Sequence, residues 1–415
     1  MRKVKDIQIV DPFTVRMILY SPDALFVNTL ALMGSGGPIA GWLIGAPGYM
    51  EHIGWDKFLK RPIGTGPYMA EGEVRHYRKV LEGEAYATLV ANPHYWKKGN
   101  PKIRKIKFVK FLSKEALRAL TEGYVDLVSS VIPKDTLRVE ESPHSKIVKN
   151  RADIRWTPGF LNLMSRHTMP LRDIRVRKAL NYAVNKEELL RYAFKGNAFE
   201  MRGHLTEKSG VDLSSVEQYQ WSIPTARKLL KEAGYEDGFK MKVVCHEKDY
   251  VLALFLQRFF SLLDIEVEIT CAQFEWLVEH IAYPNIRDDY SWRGEDWWIA
   301  ICSDSGYAPE IMGHLFEIMY HSKAPWRTYP PWFIEPLEMM YQEARETKDR
   351  VERFKIYKKA NEYVADHALQ LFTVAPLTLY GVNEKLNFVP QVSQYLYLDY
   401  SSVTNSHWSL QKSHE

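Results

Sequence analysis

Three cysteines and one histidine are the residues of this chain whose types and placement could bind a soft metal ion. Cys245, Cys271 and Cys302 each end a predicted strand, and His246 follows the first of them. If those strands are neighbours, the thiols share one layer at the edge of a sheet, with ligands of the kind that zinc takes. No C-x-x-C spacing is present, and two alternatives stay open: buried thiols that pack as small apolar groups, or a disulfide between Cys245 and Cys271 in an exported form. We predict no resident metal and no other cofactor.

Paired acids are the next candidates, because two carboxylates at the right separation can act as general acid and base. Asp288-Asp289 and Glu295-Asp296 are such pairs. Adjacent residues of a strand point to opposite faces, so neither pair is well placed to act on one substrate. The sequence also contains no G-x-S-x-G, H-E-x-x-H or Walker motif. We therefore predict no catalytic residues and a protein that is not an enzyme.

The elements that would position the cysteines form the clearest structural unit in the sequence. A strand at Phe239–Cys245, an apolar helix at Tyr250–Leu263 and a strand at Ile265–Cys271 predict two parallel strands joined by a crossover. A helix at Phe274–Ala282 and a strand at Trp297–Cys302 extend this unit. The fold class is therefore α/β, and ligands are expected beyond the carboxyl ends of the strands.

Periodic segments on both sides of that unit complete the predicted architecture. Asp173 and Asn185 are predicted to cap the helices that follow them. Further strands are predicted at 85–91, 103–111, 156–163 and 369–379, a strand pair over 6–20, and helices at Lys114–Glu122, Ile334–Glu346 and Val351–Asp366.

Composition limits the classes of function. A chain of 415 residues is too long for one compact core and suits two domains. The net charge of +4 is spread among interleaved acids and bases, which argues against a nucleic-acid partner. No apolar run approaches the roughly 20 residues that span a bilayer. The 12 Trp and 24 Tyr residues suit either recognition of varied ligands or an aromatic core.

Five short motifs occur in an order that points to one known family. They are GTGPY at 64–68, NPHYW at 92–96 with GNP at 99–101, EGYVD at 122–126, PLRDIRVRKAL at 170–180 and ARKLLKEAGY at 226–235. Through these segments the chain resembles the family-5 extracellular solute-binding proteins, which include oligopeptide, dipeptide and nickel carriers. The motifs together extend over most of the chain.

The resemblance implies a two-lobed, periplasmic-binding-protein-like (type II) fold with an interlobe cleft that closes on the solute. Lobe I would hold residues 1–160 without its N-terminal part, lobe II residues 161–370, and residues 371–415 would return to lobe I. The implied partners are a peptide or small-molecule solute and an ABC permease with its ATPase. Membrane contact would come only through the permease or a lipid anchor missing from this sequence. We expect a monomer located in the periplasm or at the cell surface.

The resemblance also implies site residues, of which Asp304 is the foremost. In peptide-binding members an aspartate at the matching place pairs with the α-amino group of the ligand, which a carboxylate can hold by a charge-assisted hydrogen bond. The alternative is that Asp304 caps a helix near Pro309. Trp276 resembles the cleft tryptophan of the family, although a packing role is equally open. The full predicted ligand-binding set is Asp304, Trp276, Trp298, Cys302, Ser303, Ser305 and Arg293.

Two positions and the start of the chain depart from the family pattern. Ile301 stands where a tryptophan is usual, and Tyr307-Ala308-Pro309 replaces an Asp-Pro pair. The chain also begins where the first lobe of the family is already under way, so exposed sheet edges or apolar patches are expected on that lobe. A second function stays open: a ligand-sensing or protein-interaction module that keeps this fold without transport.

Overall fold

The backbone of this protein divides into two compact units. The computed structural model describes residues 3–27, 30, 46–76, 79–150, 154–156, 158–216, 218–282, 295–302, 304–306, 311–330, 333–391 and 396–411. Unit 1 comprises Met1–Leu32 and Ile154–Pro376, and unit 2 comprises Met33–Asp153 and Leu377–Glu415.

The described chain contains both strands and helices. The strands are β1 Val4–Asp11, β2 Thr14–Leu19, β3 Tyr68–Ala70, β4 Ala85–Ala91, β5 Lys105–Val109, β6 Leu127–Val128, β7 Ser145–Asn150, β8 Ile154–Trp156, β9 Pro158–Leu161, β10 Ala198–Glu200, β11 Lys240–His246, β12 Glu266–Ala272, β13 Ile299–Ile301, β14 Asp304–Gly306, β15 Gln370–Phe372, β16 Val374–Pro376, β17 Thr378–Asn383, β18 Leu386–Asn387 and β19 Ser402–Val403. The helices are α1 Pro47–Ile53, α2 Trp55–Lys60, α3 Ser113–Thr121, α4 Thr136–Glu140, α5 Ile174–Ala183, α6 Lys186–Glu188, α7 Ile223–Glu232, α8 Tyr250–Ser261, α9 Phe274–Leu277, α10 Ile311–Ile318, α11 Glu335–Glu346 and α12 Arg350–Asp366.

A five-stranded sheet organises unit 1, with the strand order β12-β11-β13-β9-β15. Strand β11 pairs in parallel with both β12 and β13, whereas β9 pairs antiparallel with β13 and β15. Helix α8 packs against β12 and β11. The predicted strand–helix–strand unit is therefore confirmed, and the sheet is mixed because β9 runs against the other four strands.

Side-chain caps begin the helices of unit 1 where the sequence predicts them. The carboxylate of Asp173 accepts a 2.8 Å hydrogen bond from the backbone N–H of Arg175 at the start of α5. The side-chain oxygen of Asn185 accepts from the N–H of Glu188 at 3.0 Å. Both bonds satisfy backbone donors that a helix start leaves without partners.

The core of unit 1 encloses a charged side chain, Arg177 on α5, which is only 1 % exposed. Its guanidinium donates to the carbonyl oxygens of Leu171 at 2.9 Å, Arg172 at 3.0 Å, His367 at 2.8 Å and Ala368 at 3.2 Å. Burial lowers the pKa of Arg177 to about 10. The group stabilises the turn after α12 because it supplies donors to carbonyls that a helix end leaves unpaired.

The segment predicted as one strand over 369–379 is three strands with different partners. Strand β15 joins the five-stranded sheet, β16 pairs with β10, and β17 pairs with β6 and β7 in unit 2. The segment is mostly apolar apart from Gln370, Thr373, Pro376 and Thr378, and its hydrophobicity alone gave no sign of the changes of partner. The predicted strand at 156–163 is divided in the same way into β8 and β9.

The two units differ from the predicted lobe boundaries at the N-terminus. Residues 1–32 belong to unit 1, whereas the sequence prediction places them in lobe I with residues 33–160. Buried Asp23 explains the attachment, since its carboxylate takes Lys3 Nζ at 3.1 Å and Arg345 Nη2 of α11 at 3.2 Å. The assignment of lobes itself stays a prediction.

The hairpin of β1 and β2 confirms the predicted strand pair and is largely exposed. Ile7 lies opposite Met17 and Ile9 opposite Val15, so these four apolar side chains share one face. At the turn, Phe13 is 98 % exposed. The expectation of an incomplete first lobe stays a prediction.

Unit 2 is built from smaller sheets, with the orders β3-β4-β5, β6-β17-β7 and β18-β19. Helix α3 packs on β17, and a Cβ added at Gly381 would lie 2.4 Å from Cδ2 of Leu120. Gly381 therefore allows the helix to approach the strand closely. Gly123, with φ of 81°, follows α3 in the left-handed conformation that commonly ends a helix.

Candidate functional site

The carboxyl ends of β11, β12 and β13 lie at one edge of the unit 1 sheet, because the three strands are parallel neighbours. In register, Cys245 of β11 faces Cys271 of β12 on one side and Ile301 of β13 on the other. This edge is where open α/β sheets hold their ligands. We take it as the candidate functional site and call it the carboxyl edge.

Two of the three cysteines meet at the carboxyl edge. The sulfur atoms of Cys245 and Cys271 are 3.8 Å apart, and both residues are free thiols. Cys245 is buried, whereas Cys271 is exposed. Burial, reinforced by the neighbouring thiol, raises the pKa of Cys245 to about 12.

The third cysteine does not join this pair. Cys302 is buried and follows Ile301, the register partner of Cys245, by one position. Successive residues of a strand point to opposite faces, so the layer of three thiols predicted from the sequence does not form. Within the described ranges, no three His, Cys, Asp or Glu side chains group closely enough to hold a metal ion.

Asp304, the foremost predicted ligand residue, begins strand β14 shortly beyond the carboxyl end of β13. Its backbone pairs antiparallel with Trp156 of β8, and that of Ser305 pairs with Arg155. For Asp304 and Ser305 the description stops at the backbone, while Ser303 and Arg293 lie outside the described residues. The sequence suggested a loop here, and pairing with β8 makes it a strand.

Trp276 lies on the short helix α9, which follows β12 at the carboxyl edge. Its indole is partly buried against the core and stacks on the ring of His280, with centroids 4.1 Å apart and an interplanar angle of 12°. Nδ1 of His280 is 2.9 Å from the carbonyl oxygen of Trp276, and Nε2 is 3.9 Å from Glu295 Oε1. The stack fixes the orientation of the tryptophan ring.

Trp298 is placed differently from Trp276. It immediately precedes β13 at the amino end of that strand, is 8 % exposed and stacks on Phe239 at 5.1 Å. Its backbone N–H donates to the carbonyl of Lys242. The structure therefore does not bring Trp298 to the carboxyl edge that Cys302 and Asp304 adjoin, and its burial favours a packing role.

Sequence reasoning missed two groups near Trp276. His280 follows the tryptophan by four residues, the spacing that puts two side chains on one helix face, and this signal was available. Gln273 Nε2 donates to Glu247 Oε1 at 2.6 Å and links the segments after β12 and β11. No local pattern predicts that second contact, because it depends on the strands being neighbours.

The acidic pair at Glu295-Asp296 is split between two partners. Glu295 approaches His280, whereas Asp296 accepts from Lys242 Nζ at 3.2 Å. The two carboxylates therefore do not form a dyad, although both residues precede β13 and lie outside a strand. Asp288-Asp289 lies outside the described residues.

None of the helices in the described ranges combines the length and apolar character that crossing a bilayer requires.

Comparison with known proteins gives one family match and a consistent group of relatives. Residues 1–271 match the family model described as bacterial extracellular solute-binding proteins, family 5 Middle. The glutathione-binding protein GsiB of Pectobacterium atrosepticum is 26 % identical over 385 residues, which cover 91 % of this chain and 69 % of the relative. The dipeptide-binding protein of Escherichia coli K12 is 23 % identical over 380 residues, covering 88 % of this chain and 65 % of that one.

Solved structures share the fold. The periplasmic binding protein DppA of Helicobacter pylori, in complex with the peptide STSA, superposes with a TM-score of 0.73 at 20 % identity, covering 92 % of this chain and 70 % of that chain. Together with the mixed sheet of unit 1, this likeness shows the α/β, periplasmic-binding-protein-like fold of type II that the sequence predicts. The match to GsiB of Salmonella paratyphi A covers only 49 % of that relative's length.

Proposed function

Because the chain belongs to the bacterial extracellular solute-binding proteins of family 5, we propose that it is the substrate-binding component of an ABC importer. It captures a peptide or similar small solute and hands it to a membrane permease with its ATPase, in the periplasm or at the cell surface. The family match over residues 1–271 carries this proposal. The solutes named for its relatives, which are glutathione, dipeptides and the peptide STSA, support the class of ligand.

These solutes share a free α-amino group, and Asp304 is the residue proposed to hold it. Strand β14 carries Asp304 beyond the carboxyl edge, where ligands of α/β sheets bind. A carboxylate that faces an ammonium group in a partly desolvated site forms a charge-assisted hydrogen bond. Trp276, oriented by the stack on His280, offers a flat apolar surface near that edge.

The test is calorimetric titration of the wild-type chain and Asp304→Asn with glutathione and with unblocked dipeptides. Loss of the charge-assisted bond removes about 1.5–3 kcal/mol, so affinity should fall by about one to two orders of magnitude. The amide keeps the shape of the side chain, and the melting temperature should change little.

N-acetylated forms of the same peptides are the matched control on the ligand side. Acetylation should weaken binding to the wild-type chain as much as the mutation does and should weaken Asp304→Asn little further, since both changes remove one interaction. Unchanged affinity with a lowered melting temperature would make Asp304 a structural cap. No binding of any amine-bearing solute to the wild-type chain would reject the ligand class.

A further inference from the structure

The thiol pair formed by Cys245 and Cys271 has a geometry suited to chemistry that solute binding does not use. The two residues face each other in register on adjacent parallel strands, and their sulfur atoms are already in van der Waals contact at 3.8 Å. Neighbouring strands lie about 4.8 Å apart, which is within the Cα separation that disulfides span. Formation of a bond therefore needs side-chain rotation and a small shift of one strand.

The surroundings of the pair give the two thiols different access to solvent. Cys271 lies on β12, an edge strand of the unit 1 sheet, and is exposed. Cys245 lies on β11, between β12 and β13, and is buried. A reagent from solution can thus reach the first sulfur, whereas the second is reached only through the first.

We propose that the thiol pair is a site of thiol–disulfide exchange, in which Cys271 is modified by a low-molecular-weight disulfide and Cys245 resolves the product into an intramolecular disulfide. This inference is independent of the proposed transport function. It assigns to the carboxyl edge a second ligand class, small disulfides, and a covalent modification.

The first step is attack by the thiolate of Cys271 on one sulfur of the reagent R–S–S–R. The reagent's S–S bond breaks, a mixed disulfide forms on Cys271, and the released thiolate takes up a proton and leaves as R–SH. Exposure of Cys271 makes this sulfur accessible. Neither buried cysteine offers such access in the folded chain.

In the second step the Cys245 thiol gives its proton to solvent, and the thiolate attacks the sulfur of Cys271. The mixed disulfide breaks, the Cys245–Cys271 bond forms, and a second R–SH leaves. Two protein thiols are then oxidised and one small disulfide is reduced to two thiols, so electrons and protons balance. Because the two sulfur atoms are in contact, the effective concentration of Cys245 at Cys271 is high, and Cys245 should attack the mixed disulfide faster than an external thiol does.

The pKa of Cys245 determines the rate at which the intramolecular disulfide forms. Burial raises that pKa to about 12, with the neighbouring thiol and the charge of Asp249 adding to the rise, so little thiolate is present near neutrality. The mixed disulfide should therefore persist long enough to be trapped by acid, and closure should become faster as the pH rises toward the pKa of Cys245. Formation of the mixed disulfide removes the thiol of Cys271 as a neighbour of Cys245 but leaves the burial of Cys245.

The experiment uses 2-hydroxyethyl disulfide, a neutral reagent without the amino group that the proposed transport ligand requires. The folded chain is incubated with the reagent, quenched with acid and analysed by intact mass and by peptide mapping. The wild-type chain should pass through a species with one hydroxyethylthio group on Cys271 and end with two hydrogen atoms lost. Reduction with dithiothreitol should restore the original mass.

Three variants assign the roles. Cys245→Ala should stop at the adduct on Cys271, Cys271→Ser should stay unmodified, and Cys302→Ala should behave as wild type. A circular dichroism spectrum of each variant verifies folding, and Cys245→Ser serves if the alanine variant does not fold. An unmodified wild-type chain, a wild-type adduct on Cys271 that never closes, or modification of folded Cys271→Ser at another thiol would each overturn the proposal.

Discussion

Units 1 and 2 differ in the size of their buried apolar cores. Unit 1 has one large buried cluster of apolar side chains in which a guanidinium, that of Arg177, is held by backbone carbonyls. In the described part of unit 2, the buried apolar residues are fewer and divide among small sheets, and one of their clusters contains only Tyr380, Val382 and Leu386.

This difference indicates which substitutions should lower the stability of each unit. In unit 1 the buried donors hold segments that are distant in the sequence, since Arg177 on α5 bonds the turn after α12. In unit 2 the close contact of α3 with β17 depends on a missing side chain, at Gly381. We therefore expect loss of the Arg177 guanidinium to lower the free energy of unfolding more than addition of a methyl group at Gly381 does.

The largest effect is expected for Arg177→Met. Removal of the guanidinium leaves several buried carbonyl oxygens without donors, and the free energy of unfolding should fall by about 3–5 kcal/mol. Arg175→Met, on the same helix, is the control: Arg175 is exposed and pairs with Asp173, so its loss should cost only about 0–1 kcal/mol. Urea unfolding curves measure both, and similar losses in the two variants would contradict the role given to the buried group.

A smaller effect is expected for Gly381→Ala in unit 2. The added Cβ would meet Leu120 Cδ2 at 2.4 Å and Val131 Cγ2 at 3.2 Å, and such overpacking costs about 1–3 kcal/mol. Leu120→Ala makes room for it, so the double variant should be more stable than the sum of the single losses implies. Strictly additive losses in unfolding curves would mean that α3 and β17 separate easily, against the contact described.

Near neutral pH the smallest effect is expected from His204, which makes the stability of unit 1 depend on pH only below about pH 6.5. Its ring is buried beside Tyr320, and burial lowers the pKa of His204 to about 3. An unfolded histidine has a pKa of about 6.5, so the unfolded chain binds the extra proton between these values, and stability falls with falling pH by up to about 1.4 kcal/mol per pH unit. His204→Gln should remove this part of the slope.

Urea midpoints of the wild-type chain and His204→Gln, compared across the range from about pH 4 to pH 7, measure that difference. Parallel pH profiles for the two chains would show that the buried imidazole is not the group responsible.

The sequence predicted local elements well and pairings at long range poorly. The periodicity of residues 239–271 identified β11, α8 and β12 to within about two residues, the usual boundary scatter. The neighbours of β9 could not be found, because pairing with β15 and β13 leaves no local mark in a short apolar strand. The strand at Asp304 was also missed, because Asp-Ser-Gly has no β propensity of its own and becomes a strand only by pairing with β8.

At the carboxyl edge the types of residue were predictable and their grouping was not. The alignment of Cys245 with Cys271 follows from parallel register, whereas the offset of Cys302 required the pairing of β13 to be known. Trp276 resembled the cleft tryptophan of the family, whereas Trp298 already lay at the amino end of the strand predicted at Trp297–Cys302, and the structure packs it there against Phe239.

The central position of β9 in the order β13-β9-β15 has a consequence for how the chain folds during synthesis. Phe160 of β9 pairs with Gln370 of β15, which is synthesised much later. The edge of β9 that pairs with β15 therefore stays exposed in the nascent chain while the intervening residues leave the ribosome. Pairings of such large sequence separation slow folding and leave a strand edge open to wrong partners.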